Sequence, residues 1–410
     1  MSVAIQTNSP YPVPLKENGL LETYKENNPT HAIPQKTLDL EVAALRKKIE
    51  SIPGFNPHVK FDPKKHIVFK EEYWSPKVTP QYTLDDLKIT KTHVPPLSDF
   101  GAAFPFPLIS EEAVNIMLWE GLQPHVLEKW ARLPNLATGA NRLDFHIGGY
   151  AKTEAPFSWA FFRSPELSEI VSKFCGFKAR PLYNSEVCNL NVSLATEDPE
   201  IADTYPKTKE EIDAILAKQD AGDGDAIPST LGLHYDSCSL ALVIMMDLPT
   251  EAVGGQTTIV TGDEKSRRVP EPTIGSATLI QGRVLKHLAS KPVTNHNRIT
   301  CVAGMAIAPP ILDNTALTST KPSVLSRARY NTFYSDWTTY RFENLELRLK
   351  YLREKLAKKY EDGEEFNQEE VICWCTEMEE YMHKTWDEME AVHNPPYPAK
   401  IFSTSYDELN

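Results

Sequence analysis

Residues 231–247 read LGLHYDSCSLALVIMMD, and they combine a strongly apolar run with two side chains that bind protons and metals. The apolar part is typical of a buried β-strand, whereas His234 and Asp236 each need a partner once they are removed from water. Residues i and i+2 of a strand project from the same face, so His234 and Asp236 point together and Tyr235 points the other way. Either solvent or a cation must therefore reach this point.

The composition of the whole chain is that of a globular protein, and its acidic charge is more compatible with a small molecule or a basic partner than with nucleic acid. The 410 residues are 41% hydrophobic and 24% charged, which leaves ample material for a core. The formal net charge of −13 argues against a nucleic-acid partner. No apolar run is long enough to cross a membrane, no secretory signal is recognisable, and the six cysteines form no CxxC pattern. We therefore predict a cytoplasmic protein without a membrane partner.

The first part of the chain is predicted to be helical and irregular. We expect an N-terminal arm over residues 1–36 and a flanking region over residues 37–180. Apolar residues at helical spacing predict helices at 38–52, 109–133 and 164–176. The last of these has Ser164 as its N-cap and ends at Gly176.

The character of the chain changes after residue 180. Short β-branched or aromatic runs, separated by Gly, Pro, Asn and Asp, predict strands at 181–194, 231–247, 256–261, 276–280, 284–289, 298–308 and 327–336. This spacing predicts an α+β protein whose core, residues 181–340, is an antiparallel sandwich or jelly roll. Residues 341–410 return to helical spacing.

Two segments have more than one interpretation. The insertion at residues 195–230 carries its own short helix, with a capping box formed by Thr208 and Glu211, and it is either a lid over a site or a surface insertion. The C-terminal helices either brace one sheet or pair in a homodimer. The sequence leaves both questions open.

His234 and Asp236 supply two ligands of the 2-His-1-carboxylate set that holds non-haem Fe(II) and leaves coordination positions open. The third ligand must be a histidine further along the chain. His287 lies in the strand-like segment GRVLKHLASK, residues 282–291, and is the preferred candidate. His296, in an Asn-rich turn, is the weaker rival. A core histidine bonded to Asp236 without any metal is the simpler alternative.

Arg298 and Thr300 follow His287 by 11 and 13 residues and share one face of the next predicted strand. A planar guanidinium binds a carboxylate through two hydrogen bonds and stays charged, although most arginines only form surface ion pairs. The order of His-x-Asp, His and Arg-x-Thr resembles the Fe(II)/2-oxoglutarate-dependent dioxygenases, whose core is a double-stranded β-helix, a form of jelly roll. The stretch Gly254-Gly255-Gln256-Thr257 is similar to the Gly-Gly-x-Thr of the prolyl-hydroxylase-like members.

The resemblance implies a function and a role for each of these residues. His234, Asp236 and His287 would hold Fe(II), Arg298 would bind the C5 carboxylate of 2-oxoglutarate, and Thr300 would add a hydroxyl. The cosubstrates would be 2-oxoglutarate and O2. The reaction would be hydroxylation or oxidative ring closure of a small organic molecule, and the helical flanks are similar to those of members that modify amino acids or secondary-metabolite precursors.

Further residues are candidates for substrate or cosubstrate binding. Asn189 and Asn191 share one strand face and would contact 2-oxoglutarate or substrate, or else bond to loop backbone. The last predicted strand offers pocket residues as well, namely Arg327, Arg329, Tyr330 and Phe333. Two alternatives remain at this point: a cupin-type metalloenzyme that does not use 2-oxoglutarate, and a catalytically silent jelly-roll interaction protein.

Overall fold

The computed structural model describes residues 38–132, 144–220, 229–270, 272–308, 310–317 and 327–389. These residues form two antiparallel β-sheets with helices around them. The strands are β1 Gln81–Thr83, β2 Phe100–Pro107, β3 Ala131–Arg132, β4 Asp144–Ile147, β5 Lys178–Pro181, β6 Asn189–Ser193, β7 Ser229–His234, β8 Leu240–Asp247, β9 Thr257–Val260, β10 Ser266–Arg268, β11 Ser276–Ile280, β12 His287–Ser290 and β13 Arg298–Ala308.

Helices precede the sheets, interrupt them and follow them. The α-helices are α1 Ala43–Glu50, α2 Pro63–His66, α3 Glu111–Gly121, α4 Pro124–Trp130, α5 Ala151–Glu154, α6 Pro156–Phe162, α7 Pro165–Cys175, α8 Pro199–Ala202, α9 Lys209–Asp220, α10 Arg327–Glu361 and α11 Gln368–Asp387. A π-helical turn at Leu38–Val42 precedes α1, and 3-10 turns lie at Glu71–Trp74, Asn184–Glu186 and Pro310–Leu312. No helix among the described residues is both long enough and apolar enough to span a membrane.

The chain passes back and forth between the two sheets. The larger sheet has the strand order β1-β2-β11-β8-β13-β6-β4-β3, with β5 also paired to β13, and the smaller sheet has the order β10-β9-β12-β7. From β6 onward the chain moves to the smaller sheet at β7, back at β8, to the smaller sheet for β9 and β10, and back at β11. It crosses again at β12 and at β13. Every pairing between these strands is antiparallel.

The two faces of the larger sheet meet different neighbours. Val192 of β6 and Ile299 of β13 are paired, and they belong to the same buried cluster as Met117 of α3 and Phe161 of α6. This face therefore packs on the helices. The alternate residues point the opposite way, where Ala241 of β8 shares a buried cluster with Ile259 of the smaller sheet. This second face is the one that lines the space between the sheets.

Several helix predictions are confirmed. Residues 109–133 hold two helices, α3 and α4, and the hydroxyl of Ser164 caps α7, which ends at Gly176 with φ +78°. The capping box before α9 is present, because the backbone of Thr208 donates to Glu211 Oε2 and the backbone of Glu211 donates to Thr208 Oγ1.

The strand predicted at residues 327–336 is wrong, since α10 begins at Arg327. The buried residues Phe333, Trp337, Tyr340 and Asn344 recur every three or four positions, which is the period of a helix. The aromatic and β-branched content of this segment indicated a strand, but the spacing of the buried residues decides the structure. The limits of the N-terminal arm and of the other predicted domains stay predictions.

A buried carboxylate joins the C-terminal helix α10 to the sheets. Asp313 Oδ2 accepts hydrogen bonds from Tyr340 Oη at 2.6 Å and Asn344 Nδ2 at 2.8 Å, while Oδ1 accepts from Thr315 Oγ1 at 2.7 Å. Arg348 donates to the Asp313 backbone carbonyl at 2.8 Å. All of these partners are buried, so water could not replace a hydrogen bond to Asp313 that is lost.

We predict that Asp313→Asn destabilises the protein by roughly 2–3 kcal/mol. The amide would place N–H groups against donors that now face oxygen atoms, and a buried donor left without an acceptor costs about 1–3 kcal/mol. Denaturant unfolding followed by tryptophan fluorescence measures the change. The matched control is Asp362→Asn, an exposed aspartate beyond the end of α10. Equal unfolding midpoints for the two variants would contradict the prediction.

Candidate metal centre

Strand pairing brings the two candidate histidines together in the smaller sheet. His234, the last residue of β7, lies directly opposite His287, the first residue of β12, and His287 lies opposite Ile259 of β9 on its other side. Residues opposite one another in an antiparallel pair point to the same face. Because Ile259 points toward the larger sheet, both imidazoles point into the space between the sheets. Their ring centroids are 4.5 Å apart.

Asp236 completes the cluster from the turn that follows β7. Its backbone N–H donates to the carbonyl of Gly282 at 3.0 Å, which fixes the turn against the end of β11. One carboxylate oxygen lies 3.3 Å from His234 Nε2 and the other lies 3.5 Å from His287 Nε2. One ligand atom from each of the three residues lies within 4.8 Å of the other two. Tyr235 points away and contacts the ring of His93.

The hydrogen bonds of the imidazoles determine which nitrogen faces the cluster. His234 Nδ1 lies 2.7 Å from the carbonyl oxygen of Gly232, and His287 Nδ1 lies 3.0 Å from that of Leu285. A carbonyl oxygen only accepts hydrogen bonds, so each Nδ1 carries the hydrogen and each neutral ring has its lone pair on Nε2. Both lone pairs are directed at a carboxylate, which is also an acceptor. Three acceptors thus converge on one buried point.

This convergence fits a divalent cation. The Oδ2 atom of Asp236 is buried and accepts no hydrogen bond within the described residues. A buried carboxylate oxygen facing imidazole lone pairs is unfavourable until a cation lies among them. Two histidines and one carboxylate are the donor set that suits Fe(II) with open coordination positions. The backbone carbonyls that orient the rings are the kind of outer partner that metal-binding histidines have.

The charges in the cluster are consistent with this interpretation. Burial opposes ionisation of Asp236, but His287, His234 and the guanidinium of Arg283 together keep the pKa of this carboxyl below its ordinary value. Burial lowers the pKa of His287, which favours the neutral ring. Burial also acts against the charged form of His234, but Asp236, through its hydrogen bond and its charge, and the carbonyl of Gly232 outweigh burial and raise the pKa of His234. Without a metal, a proton on Nε2 of the charged ring would therefore satisfy Asp236. A cation would replace the proton that Asp236 and His234 otherwise share.

Arg298 lies on the inner face of the larger sheet, at the start of β13. Its side chain is 1% exposed, and its Nε donates to the backbone carbonyl of Gly255 at 2.5 Å. Gly254 and Gly255 have φ values of +83° and +84°, which non-glycine residues adopt at a cost, and a Cβ on Gly255 would lie 3.4 Å from Arg298 Cδ. The Gly254-Gly255 turn therefore packs against the Arg298 side chain and fixes its position. Arg298 is a buried cation and not a surface ion-pair residue.

The neighbouring strands β6 and β4 place further polar residues on this inner face, in register with residues of β13. Thr300 pairs with Asn191 of β6, which pairs in turn with His146 of β4. Asn189 lies two residues from Asn191 on the same face, and its amide donates to the carbonyl of Ser185 at 3.3 Å. The two predicted asparagines and the predicted threonine thus share one face with Arg298.

The structure adds residues that sequence reasoning missed. Asp144 of β4 pairs with Ser193 of β6, which pairs in turn with Arg298. The Asp144 carboxylate forms a buried ion pair with Lys291, which follows β12 in the smaller sheet. This ion pair bridges the two sheets beside Arg298. Arg283, next to Gly282, was missed as well. Nothing in the sequence pairs residues 144 and 291, because only the folded sheets bring them together.

Other candidates lie elsewhere. His296 lies in the turn before β13, where its Nδ1 contacts Thr294 Oγ1, and it is not part of the cluster of three ligands. Phe333 is fully buried on α10. The side chains of Arg327, Arg329 and Tyr330 lie outside the described residues, so their assignment to a substrate pocket stays a prediction. The insertion is joined to the sheets by hydrogen bonds from Arg268 to the carbonyl of Leu216 in α9, from the backbone of Ala195 to Asn297 and from the backbone of Thr196 to Asn295. Its role as a lid is untested.

Comparison with known proteins gives matches only among solved structures. No protein-family model and no curated protein matches the chain. Among solved structures, the chain is similar to a prolyl 4-hydroxylase of Phytophthora capsici, with 12% identity, 80% of this chain and 98% of the other covered, and a TM-score of 0.32. It is also similar to a prolyl-4-hydroxylase of Pseudomonas putida, with 13% identity, coverage of 54% and 96%, and a TM-score of 0.30.

A third similar structure is the non-haem alpha-ketoglutarate-dependent carbocyclase SnoK from nogalamycin biosynthesis, with 16% identity, coverage of 51% and 82%, and a TM-score of 0.30. These solved structures are 2-oxoglutarate- and Fe(II)-dependent oxygenases. At such low identities and TM-scores they carry no information on this chain's reaction or substrate, which depend on the site itself.

We predict that Gly282→Ala weakens metal binding while the chain stays folded. A Cβ at this position would lie 2.0 Å from Asp236 Oδ2, so the carboxylate would have to move, and the backbone at Gly282 is in a region that alanine adopts. Displacing a metal ligand through its supporting residue costs about 10- to 100-fold in affinity. Anaerobic titration with Fe(II) measures the dissociation constant, and circular dichroism verifies the fold. Wild-type affinity in this variant would contradict the geometry.

Proposed function

We propose that this chain is a non-haem oxygenase that depends on Fe(II) and 2-oxoglutarate and that oxidises a small organic molecule. One observation carries the proposal: His234 Nε2, His287 Nε2 and the Asp236 carboxylate converge as acceptors within 4.8 Å, and both Nδ1 hydrogens are directed to backbone carbonyls. Acceptors that face one another in a protein core are unfavourable until a cation or a proton lies among them, and a divalent cation satisfies all three at once.

The strand order supports a double-stranded β-helix as the core. The order β11-β8-β13-β6 in the larger sheet and the order β10-β9-β12-β7 in the smaller sheet account for eight strands, and the chain alternates between the sheets along them. This alternation is the arrangement expected of a jelly roll. The ligands then lie on the inner face of the smaller sheet, and Arg298 and Thr300 lie on the inner face of the larger one.

Arg298 and Thr300 are the proposed anchor for the C5 carboxylate of 2-oxoglutarate. The planar guanidinium offers five N–H donors, of which Nε is used on Gly255, and a bidentate carboxylate needs two. Together with the Thr300 hydroxyl on the same strand face, this planar fork suits a carboxylate.

Each residue of the site has a defined task in the proposed reaction. When bound together, Fe(II) and 2-oxoglutarate supply the activation of O2, with loss of CO2 and formation of succinate, and the oxidation of a C–H bond. Asp236 and the two histidines would hold the metal and leave coordination positions open. Arg298 and Thr300 would orient the cosubstrate from the opposite sheet.

The substrate is proposed from the chemistry of the inner face. Asn189, Asn191 and His146 offer amide and imidazole groups on the strands next to the cosubstrate anchor. These groups suit a small polar molecule, and an amino acid or a secondary-metabolite precursor fits this description. Hydroxylation and oxidative ring closure differ only in how the substrate lies relative to the metal.

Turnover separates this proposal from the two alternatives. A 2-oxoglutarate oxygenase consumes O2 and releases succinate only when Fe(II) and 2-oxoglutarate are both present, and amino acids that stimulate the reaction identify the substrate class. A cupin-type enzyme would bind the metal without any effect of 2-oxoglutarate. A silent interaction protein would bind neither with useful affinity. His234→Ala is the inactive control in each assay.

We predict that Arg298→Ala raises the dissociation constant of 2-oxoglutarate about 10- to 100-fold, because a hydrogen bond to a charged group contributes about 1.5–3 kcal/mol. Arg298→Lys keeps the charge but loses the planar fork, so it should bind more weakly than wild type and more tightly than Arg298→Ala. Calorimetric titration of the anaerobic Fe(II)-loaded protein measures all three. The control is Arg46→Ala, a partly exposed arginine on α1 that pairs with Glu50. An unchanged dissociation constant in Arg298→Ala would move the anchor elsewhere.

A further inference from the structure

Helix α10 carries an apolar stripe that nothing in the described structure covers. Phe342, Leu349 and Leu356 are 49%, 50% and 37% exposed. They are separated by seven residues each, so they lie on one face of the helix, about 10.5 Å apart along its axis. Tyr360, 84% exposed, lies at the end of the same face. An apolar seam with this period is the pattern by which helices pair with other helices.

The stripe is distinct from the faces of α10 that hold the fold together. Trp337, Arg341 and Arg348 contact α11, through Thr385 and Tyr381. Asn344 and Tyr340 contact Asp313 on the side of the sheets. Phe342, Leu349 and Leu356 are on the remaining side. The hydrogen bonds and cation–π contacts of α10 named above therefore do not involve the stripe.

One acidic and one basic residue lie beside the stripe, one before and one after Leu349 along the helix axis. Glu346 lies three residues before Leu349, and Arg353 lies four residues after it. Both side chains are exposed, and neither forms an ion pair within the described residues. By contrast, the basic residues further along are engaged in the chain, since Lys355 and Lys359 both bind Glu370.

We infer that the stripe is the interface of a homodimer in which α10 of two copies pair antiparallel about a twofold axis at Leu349. Leu349 would then contact Leu349 of the second copy, and Phe342 would contact Leu356, because both lie seven residues from the centre. Glu346 of each copy would face Arg353 of the other copy, so the dimer would contain this pair twice. A twofold axis requires a surface that complements itself, and this stripe does.

The charges select this arrangement over a parallel one. Glu346 and Arg353 lie on the same flank of the stripe, and in a parallel pair the twofold axis runs along the helices, so these residues of the two copies would lie on opposite sides of the interface and could not meet. Only the antiparallel pair brings Glu346 of one copy against Arg353 of the other. The partner that the pattern of charges predicts for the stripe is therefore a second copy of this chain. The inference does not depend on the proposed oxygenase function.

Cysteine cross-linking of the full-length chain tests the dimer and its direction together. The exposed Cys373 and Cys375 are first replaced by serine, and single cysteines are then introduced at the stripe. Under mild oxidation, Leu349→Cys should form a covalent dimer, whereas Phe342→Cys alone and Leu356→Cys alone should not. A mixture of the Phe342→Cys and Leu356→Cys chains should form the mixed dimer.

Sedimentation of the unmodified full chain provides the second measurement. Wild type should be a dimer, and Glu346→Arg should raise the dimer dissociation constant several-fold, with recovery in Glu346→Arg combined with Arg353→Glu. Glu343→Arg, on a neighbouring face of α10, is the control and should leave association unchanged. A monomeric wild type, or efficient self-linking of Phe342→Cys, would overturn the inference. A monomer whose Leu349→Cys thiol is unreactive would mean that another part of the chain covers the stripe, which would also overturn it.

Discussion

The antiparallel pairing of β7 with β12 places His234 directly opposite His287, and the rest of the site is arranged around that pair. The same pairing points both rings between the sheets, and the backbone carbonyls two residues before each histidine fix the Nε2 lone pairs inward. Asp236 then supplies the one negative charge that these lone pairs can share with a cation. A register shift of a single residue would turn one imidazole to the other face and dismantle the set.

The interior between the two sheets contains buried charged residues, and each of them is held by a specific partner. Lys291 and Asp144 are buried as a pair that bridges the sheets, and Arg298 is fixed by the carbonyl of Gly255. Buried charges of this kind add little stability on their own. They suit the proposed binding of an anionic cosubstrate, while the helices that pack on the outer face and the Asp313 cluster that fastens α10 contribute to stability.

Local patterns in the sequence predicted the strands and helices whose period is clear, and the spacing of His234, Asp236, His287 and Arg298 could be read without a structure. The strand predicted at 327–336 failed because aromatic content outweighed the helical spacing of the buried residues. Asp144, Lys291 and His146 were not predictable, since their partners lie on strands far away in the chain. The reason for the paired glycines also became visible only with Arg298 beside them. Long-range pairing is thus what the sequence alone does not provide.

The most direct test of the metal centre is anaerobic titration of the purified protein with Fe(II), followed by 2-oxoglutarate, while the visible absorption spectrum is recorded. If the three acceptors hold iron with open positions, one iron per chain should bind, and addition of 2-oxoglutarate should produce a visible charge-transfer band. The band should be absent from His234→Ala and present in His125→Ala, which changes an exposed histidine paired with Glu154. Wild type that binds no iron, or an equal band in His234→Ala, would contradict the account.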